Sequence, residues 1–209
     1  MFIDGAWRKA AKEATEPVIS PVSENSLGDV PSAGVEDTQA AIEAAQAGLL
    51  RWSATPAQER ADALHAIANE MIRRTEEAAR MISSETGKPL AQSRREWGLS
   101  IDQFRWYAEE ARRIYGRIIE SRVPGGRFDV SQQPVGVVAA FTAWNFPASL
   151  LARKMAPALA AGCSVIARPS SQTPGTAMVM FDCCRAGNLP SGVVNLVVGS
   201  TDATYRPIM

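Results

Sequence analysis

The chain has 209 residues and a mass of 22.5 kDa, of which 46% are apolar and 21% are charged. This composition is typical of a globular protein of one or two domains and excludes an intrinsically disordered chain. The 22 basic residues balance the 22 acidic ones, so no excess of positive charge indicates a nucleic-acid or anionic-membrane partner.

A short hairpin and a connection are predicted before the first helix. The pair Asp4-Gly5 stands between apolar residues, which favours a two-residue hairpin turn. Residues 17–34 carry Pro, Ser and Gly and are interpreted as a connection, and a helix is predicted from Val35 to about Trp52. The first half of the chain is therefore expected to be mainly helical.

Three further helices are predicted up to Gly116. The run Thr55–Gln58 favours a capping box, with the threonine as cap, the proline in the first helical position and the glutamine reaching back. A new start is predicted at Thr75, followed by two acidic residues, and a stop at residues 87–89, which read Gly-Lys-Pro. A longer helix then runs towards Gly116.

The charge pattern changes near residue 130. Residues 1–130 hold 17 basic and 20 acidic residues, whereas residues 131–209 hold only five basic and two acidic ones. Immediately around this change, residues 118–123 and 127–133 flank Pro-Gly-Gly and predict a protruding hairpin. The last third of the chain is interpreted as the interior of the protein.

From residue 134 the pattern predicts strand, helix, strand, helix and strand. Continuous apolar runs are expected of parallel strands covered on both faces. Right-handed crossovers would place the carboxyl ends of the first two strands side by side, at Phe141/Thr142 and Ala167/Arg168. The predicted strands are 135–141, 163–167 and 193–198, and the predicted helices are 147–161 and 174–186.

The loop after the first of these strands carries an amide between two aromatic rings. The usual dinucleotide signature, G-x-G-x-x-G, is absent here. The loop instead runs from Thr142 to Pro147 and places Asn145 between Trp144 and Phe146. Such an amide can donate to a developing oxyanion, with the rings fixing its rotamer and excluding water. The alternative is an asparagine that caps the next helix.

The loop after the second strand, Arg168 to Pro174, contains a cation and several hydroxyl groups. Arg168 and the serines that follow can bind ribose hydroxyls or a phosphate at the opening of the next helix. The alternative is an ordinary loop capped by Ser or Thr.

Together the two loops, followed by Leu189–Asn195, resemble the aldehyde dehydrogenase superfamily in order and spacing. The resemblance extends over essentially the whole chain, and Tyr107–Gly116 (YAEEARRIYG) is similar to the succinate-semialdehyde dehydrogenase branch. It implies an α/β fold with an open parallel Rossmann-like sheet, N-terminal helices and a β-hairpin oligomerisation arm. The implied units are an incomplete NAD(P)-binding domain (1–116 and 134–209) and the arm (117–133), with the catalytic domain absent from this chain.

The resemblance also implies roles for individual residues. Asn145 corresponds to the catalytic oxyanion-hole asparagine that holds the thiohemiacetal oxygen. Arg168 stands where the family commonly has Lys on the adenosine ribose. Ser171 stands where NAD-preferring members often carry Glu, so NADP+ is expected to be tolerated or preferred over NAD+. The implied cofactor-binding residues are Phe141, Thr142, Trp144, Asn145, Arg168, Pro169, Ser170 and Ser171.

Arg153, eight residues after Asn145, matches the position that holds the substrate's distal carboxylate in the succinate-semialdehyde branch. The alternative is a solvated helix arginine beside Lys154. The resemblance thus implies oxidation of succinate semialdehyde, or a related semialdehyde, to the acid with hydride transfer to NAD(P)+. It also implies a homo-oligomer, either dimer or tetramer.

The family's nucleophilic Cys and general-base Glu are expected downstream of these 209 residues. Cys163, Cys183 and Cys184 are interpreted as packing residues. They form no complete disulfide framework, which with the lack of a leader pattern predicts a cytoplasmic protein. His65 is expected to have no partner, and no metal site is predicted. The chain is interpreted as part of a semialdehyde dehydrogenase; the alternatives are a non-catalytic cofactor-binding or subunit-association remnant and an unrelated α/β binding domain.

Overall fold

The computed structural model describes residues 1–209. The helices are α1 (Val35–Ala54), α2 (Ala57–Arg73), α3 (Thr75–Thr86), α4 (Leu90–Ala111), α5 (Pro147–Ala160), α6 (Pro174–Cys184) and α7 (Thr201–Ile208). The strands are β1 (Phe2–Ile3), β2 (Ala6–Trp7), β3 (Thr15–Ile19), β4 (Ser26–Pro31), β5 (Arg117–Glu120), β6 (Arg127–Val130), β7 (Val137–Phe141), β8 (Ser164–Arg168) and β9 (Val194–Leu196). None of the seven helices combines the length and apolar character needed to span a bilayer.

The main sheet has five strands in the order β2-β1-β9-β8-β7. Strands β7, β8 and β9 are parallel and are joined through α5 and α6, which confirms the predicted open parallel sheet. The N-terminal hairpin extends this sheet antiparallel, with Phe2 opposite Leu196. Its turn residues Asp4 and Gly5 have φ of 54° and 81°, the positive values that a two-residue hairpin turn requires. The sheet as a whole is therefore mixed.

Helices α2, α4 and α5 pack together beside the sheet around one apolar core. Large side chains fill it because their helical spacing places them on one face, and each contributes about 1.5–3 kcal/mol by burial. Two buried indoles also bond across elements: Trp97 Nε1 donates to the Met71 carbonyl at 2.8 Å and Trp52 Nε1 to that of Leu159 at 2.9 Å. These bonds fix α4 on α2 and α1 on α5.

The residues interpreted as a connection contain a second hairpin, β3–β4, that the sequence did not predict. Its strands pair from Thr15↔Pro31 to Ile19↔Ser26. Only Val18 and Val30 in these two strands are buried. An apolar alternation is therefore missing, and Pro17 further weakens the strand pattern.

The predicted capping of α2 and α3 is wrong, although both helices begin where expected. The Thr55 hydroxyl donates to the Arg51 carbonyl at 3.0 Å, and the Thr75 hydroxyl to that of Ile72 at 2.8 Å. Both threonines thus bond back to the preceding helix, a common local competitor of capping. The Gln58 amide donates to Asp62 Oδ1 at 2.9 Å rather than reaching back.

Helix ends and the protruding hairpin are close to the prediction but shorter. Helix α3 stops at Gly87, whose φ of 71° is the left-handed C-cap conformation. Helix α4 ends at Ala111, before the expected Gly116. The hairpin β5–β6 pairs Arg117↔Val130 through Glu120↔Arg127 and forms a separate two-stranded sheet.

Candidate active site at the carboxyl edge of the sheet

The two loops predicted to form the site begin side by side. Phe141 and Arg168 are paired at the ends of β7 and β8. The backbone N–H of Thr142 donates to the Arg168 carbonyl at 3.2 Å and extends the ladder by one step. Parallel pairing therefore brings the Asn145 loop and the Arg168 loop to one edge, where open α/β sheets bind ligands.

Asn145 is exposed in the first loop, and its side-chain amide makes no hydrogen bond within the protein. The N-cap residue of α5 is Phe146, without a side-chain capping bond, so the interpretation of Asn145 as a helix cap is wrong. The neighbouring rings of Trp144 and Phe146 are 54% and 50% exposed. These rings do not exclude water around Asn145, which leaves its amide open to a ligand.

The backbone of the same loop is held by the ion pair of Lys88 and Glu96, which the sequence analysis did not predict. Lys88 Nζ donates to the Asn145 carbonyl at 3.0 Å, forms an ion pair with Glu96 and lies 4.2 Å from the centroid of the Phe146 ring. Glu96 Oε1 accepts from the amides of Ala148 at 3.0 Å and Ser149 at 3.3 Å. One carboxylate therefore joins the start of α5 to the lysine.

Arg168, at the start of the second loop, is turned towards the chain that follows β9. Its Nη2 donates to the Gly199 carbonyl at 2.9 Å and to the Thr201 hydroxyl at 3.4 Å, and its Nε to the Thr204 hydroxyl at 3.3 Å. Burial lowers the pKa of Arg168, and the carboxylate of Glu16 opposes this effect. Only Nη1 makes no hydrogen bond within the protein and remains available to a ligand.

The helix opening after this loop is already occupied. Glu85 accepts from the backbone N–H of Gly175 at 2.6 Å, and from the N–H and hydroxyl of Thr176 at 2.9 and 2.6 Å. A phosphate bound at the start of α6, as the sequence suggested, would need the same amides. The structure therefore corrects that hypothesis. Burial raises the pKa of Glu85, and these hydrogen bonds oppose the rise.

The remaining residues of the second loop differ in exposure. Pro169 is buried and Ser170 is half-buried, with its hydroxyl accepting from Gln172 N at 3.3 Å. Ser171 is exposed, and its hydroxyl makes no hydrogen bond within the protein. The two serines therefore face different surroundings, and only Ser171 offers a free side chain.

Two buried hydroxyls at this edge, those of Thr142 and Thr173, have no hydrogen-bond partner. Buried polar groups are nearly always paired, so each needs an explanation. Thr173 is the N-cap residue of α6, and Glu85 has taken the amides that it would otherwise cap. The Thr142 hydroxyl has no such competitor. It is therefore an unpaired polar atom in the first residue after β7.

Two further residues predicted to belong to the site are Phe141 and Arg153. The Phe141 ring packs on Tyr205 of α7, with centroids 5.2 Å apart. Arg153 is exposed on α5, without a hydrogen bond or ion pair. It lies about 9 Å along the helix from Pro147, at 1.5 Å per residue. Arg153 therefore lies on the exposed side of α5, more than one turn after the helix begins.

No thiol of this chain lies at the site. Cys163 precedes β8 at the opposite edge of the sheet, and Cys183 and Cys184 end α6. All three are buried and free. Burial raises the pKa of Cys183 to about 12, and burial also raises the pKa of Cys184. Burial makes all three thiols poor nucleophiles, and the raised pKa adds to this at Cys183 and Cys184, so their interpretation as packing residues stands.

The expectation for His65 is corrected. Its Nε2 lies 2.9 Å from Glu109 Oε1, a contact between α2 and α4. The two residues are 44 positions apart, so no local pattern signals the pair.

Comparison with known proteins identifies the family of this chain. The model of the aldehyde dehydrogenase family matches residues 7–209. The chain belongs to the aldehyde dehydrogenase family. It is 41% identical to the glutarate-semialdehyde dehydrogenase of Pseudomonas aeruginosa, with 100% of this chain and 44% of the relative covered. It is also 41% identical to the NADP(+) succinate-semialdehyde dehydrogenase of Escherichia coli, with 97% and 42% covered. The chain thus spans less than half the length of these relatives.

Solved aldehyde dehydrogenases have the same fold. The crystal structure of an NADP-dependent enzyme from E. coli superposes with a TM-score of 0.97 at 40% identity, with 99% of this chain and 43% of that chain covered. Betaine aldehyde dehydrogenase from Staphylococcus aureus, solved in complex with NAD+, gives 0.95 at 32% identity, with 99% and 42% covered. Both confirm an aldehyde dehydrogenase cofactor-binding fold that is truncated relative to the full-length enzymes.

Proposed function

We propose that the protein to which this chain belongs oxidises succinate semialdehyde, or a related semialdehyde, to the carboxylic acid with NAD(P)+. The observation that carries this is the free side-chain amide of Asn145 at the sheet edge, in the same loop as the unpaired hydroxyl of Thr142. Two relatives at 41% identity, from P. aeruginosa and E. coli, are a glutarate- and a succinate-semialdehyde dehydrogenase. These names support the substrate class.

In this proposal the chain's own groups bind and orient the reactants. The side-chain amide of Asn145 would donate to the aldehyde oxygen as it gains negative charge, a contact that typically contributes about 10²–10³ in kcat. Thr142, Trp144 and the free Nη1 of Arg168 would hold NAD(P)+, which supplies the hydride acceptor. The thiol nucleophile and the base that activates water would come from outside these 209 residues, because no thiol here reaches the edge.

The first test is the mass and activity of the protein made from its full native gene. A mass more than twice 22.5 kDa, with aldehyde-dependent formation of NAD(P)H, supports the dehydrogenase. A mass near 22.5 kDa would instead support a non-catalytic remnant. The free edge of β7 argues against that alternative, since an unpaired edge strand tends to associate with other chains.

Cofactor choice is proposed to depend on Ser171, which leaves room for a 2′-phosphate. Replacing it, Ser171→Glu, should lower kcat/KM with NADP+ about tenfold relative to NAD+, because a carboxylate would repel the phosphate. Gln172→Glu, the next exposed residue, is the matched control and should leave the ratio unchanged. Equal ratios in both variants would remove Ser171 from cofactor selection.

Substrate choice is proposed to depend on Arg153. Arg153→Ala should raise KM for an acidic semialdehyde more than for a neutral aldehyde of equal length, because it removes the partner of the distal carboxylate. Lys154→Ala is the control, since both side chains are exposed on the same helix. Equal effects on the two aldehydes would make Arg153 a solvated surface residue.

The β5–β6 hairpin is proposed to be the oligomerisation arm of a dimer or tetramer. Its apolar side chains are exposed, with Ile118 at 71%, Val123 at 68% and Phe128 at 59%, as a surface that packs on a partner would be. Phe128→Asp should reduce the mass measured in solution by light scattering. Leu50→Asp, at a residue 75% exposed on α1, should not. An unchanged mass in both variants would contradict this role.

Three buried, free cysteines further support a reducing compartment such as the cytoplasm. An aldehyde dehydrogenase whose nucleophile is a thiolate would also need that compartment to keep the thiol reduced.

A further inference from the structure

Lys88 lies in the three-residue turn between α3 and α4, next to the Asn145 loop. Its side chain is 13% exposed and that of Glu96 is 2% exposed. The ammonium group has three donors, and two are used, one by Glu96 and one by the Asn145 carbonyl. The Phe146 ring covers the same ammonium. The lysine therefore connects the helical layer directly to the backbone of the residue that carries the free amide.

Glu96 fixes the position of Lys88. One oxygen of its carboxylate accepts from the first two amides inside α5, at Ala148 and Ser149, and the other pairs with Lys88. The start of α5 and the lysine are thus held by a single buried group. Because Asn145 stands between β7 and α5, its backbone is restrained on the helix side through this carboxylate and at its carbonyl by the lysine.

We propose, on the basis of the function proposed above, that Lys88 is a positioning residue for the reaction. Held by Glu96, it fixes the Asn145 carbonyl so that the side-chain amide faces the aldehyde oxygen before the substrate arrives. The side chain of Asn145 has no protein partner, so the backbone position and the rotamers that it allows decide where the amide can lie. Electrostatic stabilisation of an oxyanion depends on such prior orientation, and small misplacements of the donor reduce rate strongly.

The test uses the enzyme from the full native gene and a variant designed to keep the fold. Lys88→Met alone would leave Glu96 buried without its cation, so it is combined with Glu96→Gln. The side-chain oxygen of the introduced glutamine can still accept from Ala148 and Ser149, and the ammonium is lost together with its counter-charge. Lys88→Arg is the conservative variant. The control is Arg94→Met, which removes a nearby cation in the first turns of α4 that is bonded to Glu76 at 2.7 Å on the surface.

In the double variant, kcat should fall roughly 10- to 100-fold when the rate is divided by the concentration of sites that bind cofactor. The KM for the aldehyde should change less than about threefold. Lys88→Arg should recover part of kcat, because a guanidinium can reach the same oxygens. Arg94→Met should have the kcat of the wild type. Chymotrypsin should cleave after Trp144 about tenfold faster in the double variant, since a loosened loop opens more often.

Each outcome decides between the two proposals. A double variant with wild-type kcat and wild-type cleavage overturns the role of Lys88 while the dehydrogenase function stands. Loss of kcat that appears equally in Arg94→Met also overturns it, because the effect would then be general. A wild-type enzyme that forms no NAD(P)H with any semialdehyde overturns the proposed function, and the positioning role with it. Cleavage after Trp144 then still shows whether Lys88 restrains the loop.

Discussion

Glu85 and Glu96 are two buried glutamates that both bind the start of a neighbouring helix, but only Glu96 has a cation as partner. Each accepts hydrogen bonds from the first amides of a neighbouring helix, Glu85 at α6 and Glu96 at α5. Glu96 also has the ammonium of Lys88, whereas Glu85 forms no ion pair and bonds only to Gly175 and Thr176. Free amides at a helix start can thus hold a carboxylate without a cation.

The difference has a consequence for pH. Burial raises the pKa of Glu85, despite three hydrogen bonds that favour its charged form. The bonds between Glu85 and the start of α6, next to the Arg168 loop, therefore depend on whether this carboxyl group, which has no counter-ion, is protonated. The Asn145 loop is anchored by a charge pair instead, so the two loops of one site are held by different means.

The largest expected effect comes from leaving Glu96 without its cation. Lys88→Met should lower the free energy of unfolding by about 3–5 kcal/mol, the usual cost of breaking a buried ion pair from one side. Adding Glu96→Gln should restore most of the free energy of unfolding that Lys88→Met loses. Urea unfolding measures both. A single variant as stable as wild type would show that the α5 amides alone suffice, as they do for Glu85 at α6.

Glu85→Gln tests the partner that has no cation. Glutamine, like protonated Glu85, has a single carbonyl oxygen, so the variant should be within about 1 kcal/mol of wild type where Glu85 is protonated. The raised pKa means that the folded state binds the proton more tightly than the unfolded one. The stability linked to Glu85 is therefore present below its ordinary value of 4.5 and is lost as pH rises through the folded value. Wild type should therefore become less stable relative to the variant as pH rises, since glutamine does not titrate.

The measurement is the urea midpoint of both proteins at several pH values from about 4 to 8. A difference between the two urea midpoints that stays constant over this pH range would contradict a raised pKa at Glu85. The matched control is Glu76→Gln, because Glu76 lies on the surface, where it pairs with Arg94, and its replacement removes an acidic group of the same helix without a buried contact.

A smaller effect is expected from Thr173, whose hydroxyl Glu85 displaces. Thr173→Val should change the free energy of unfolding by less than about 0.5 kcal/mol, because no hydrogen bond is lost. In a Glu85→Ala background the hydroxyl can cap α6, and the same substitution should cost about 1 kcal/mol. A double-mutant cycle measures this coupling. Additive effects would show that Thr173 cannot replace Glu85.

The smallest effect on stability is expected at Thr142, where no competing group explains the unpaired hydroxyl. Thr142→Val should leave the urea midpoint unchanged and weaken cofactor binding about two- to tenfold, the worth of one neutral hydrogen bond. Isothermal titration with NAD+ and NADP+ measures it. Unchanged affinity for both would mean that the hydroxyl has no role in binding.

Much of the fold follows from local sequence patterns. Helices α1, α2, α3, α5 and α6 and strands β7 to β9 begin within about three residues of the prediction, because helical period, apolar runs and the glycine at residue 87 are local signals. The hairpin β3–β4 was missed because only Val18 and Val30 are buried. The capping prediction failed where Thr55 and Thr75 bond backwards instead.

The two loops of the candidate site were also visible in the sequence. The polar residues at 142–147 and 168–174 follow apolar strand runs, and parallel pairing alone brings the ends of those strands together. That Asn145 is free and that Arg168 is bonded to Gly199 could not be predicted. Side-chain orientation depends on neighbours that the topology supplies.

Short-range period and apolar burial along the chain were enough to establish the order of elements, the parallel sheet and the edge at which the candidate residues lie. The groups that hold that edge, in contrast, were visible only in the folded protein. Glu96 reaches α5 across 52 positions and Glu85 reaches α6 across 90. A buried carboxylate is stable only where free amides or a cation meet it, and that meeting exists only after α3 and α4 have packed against α5 and α6.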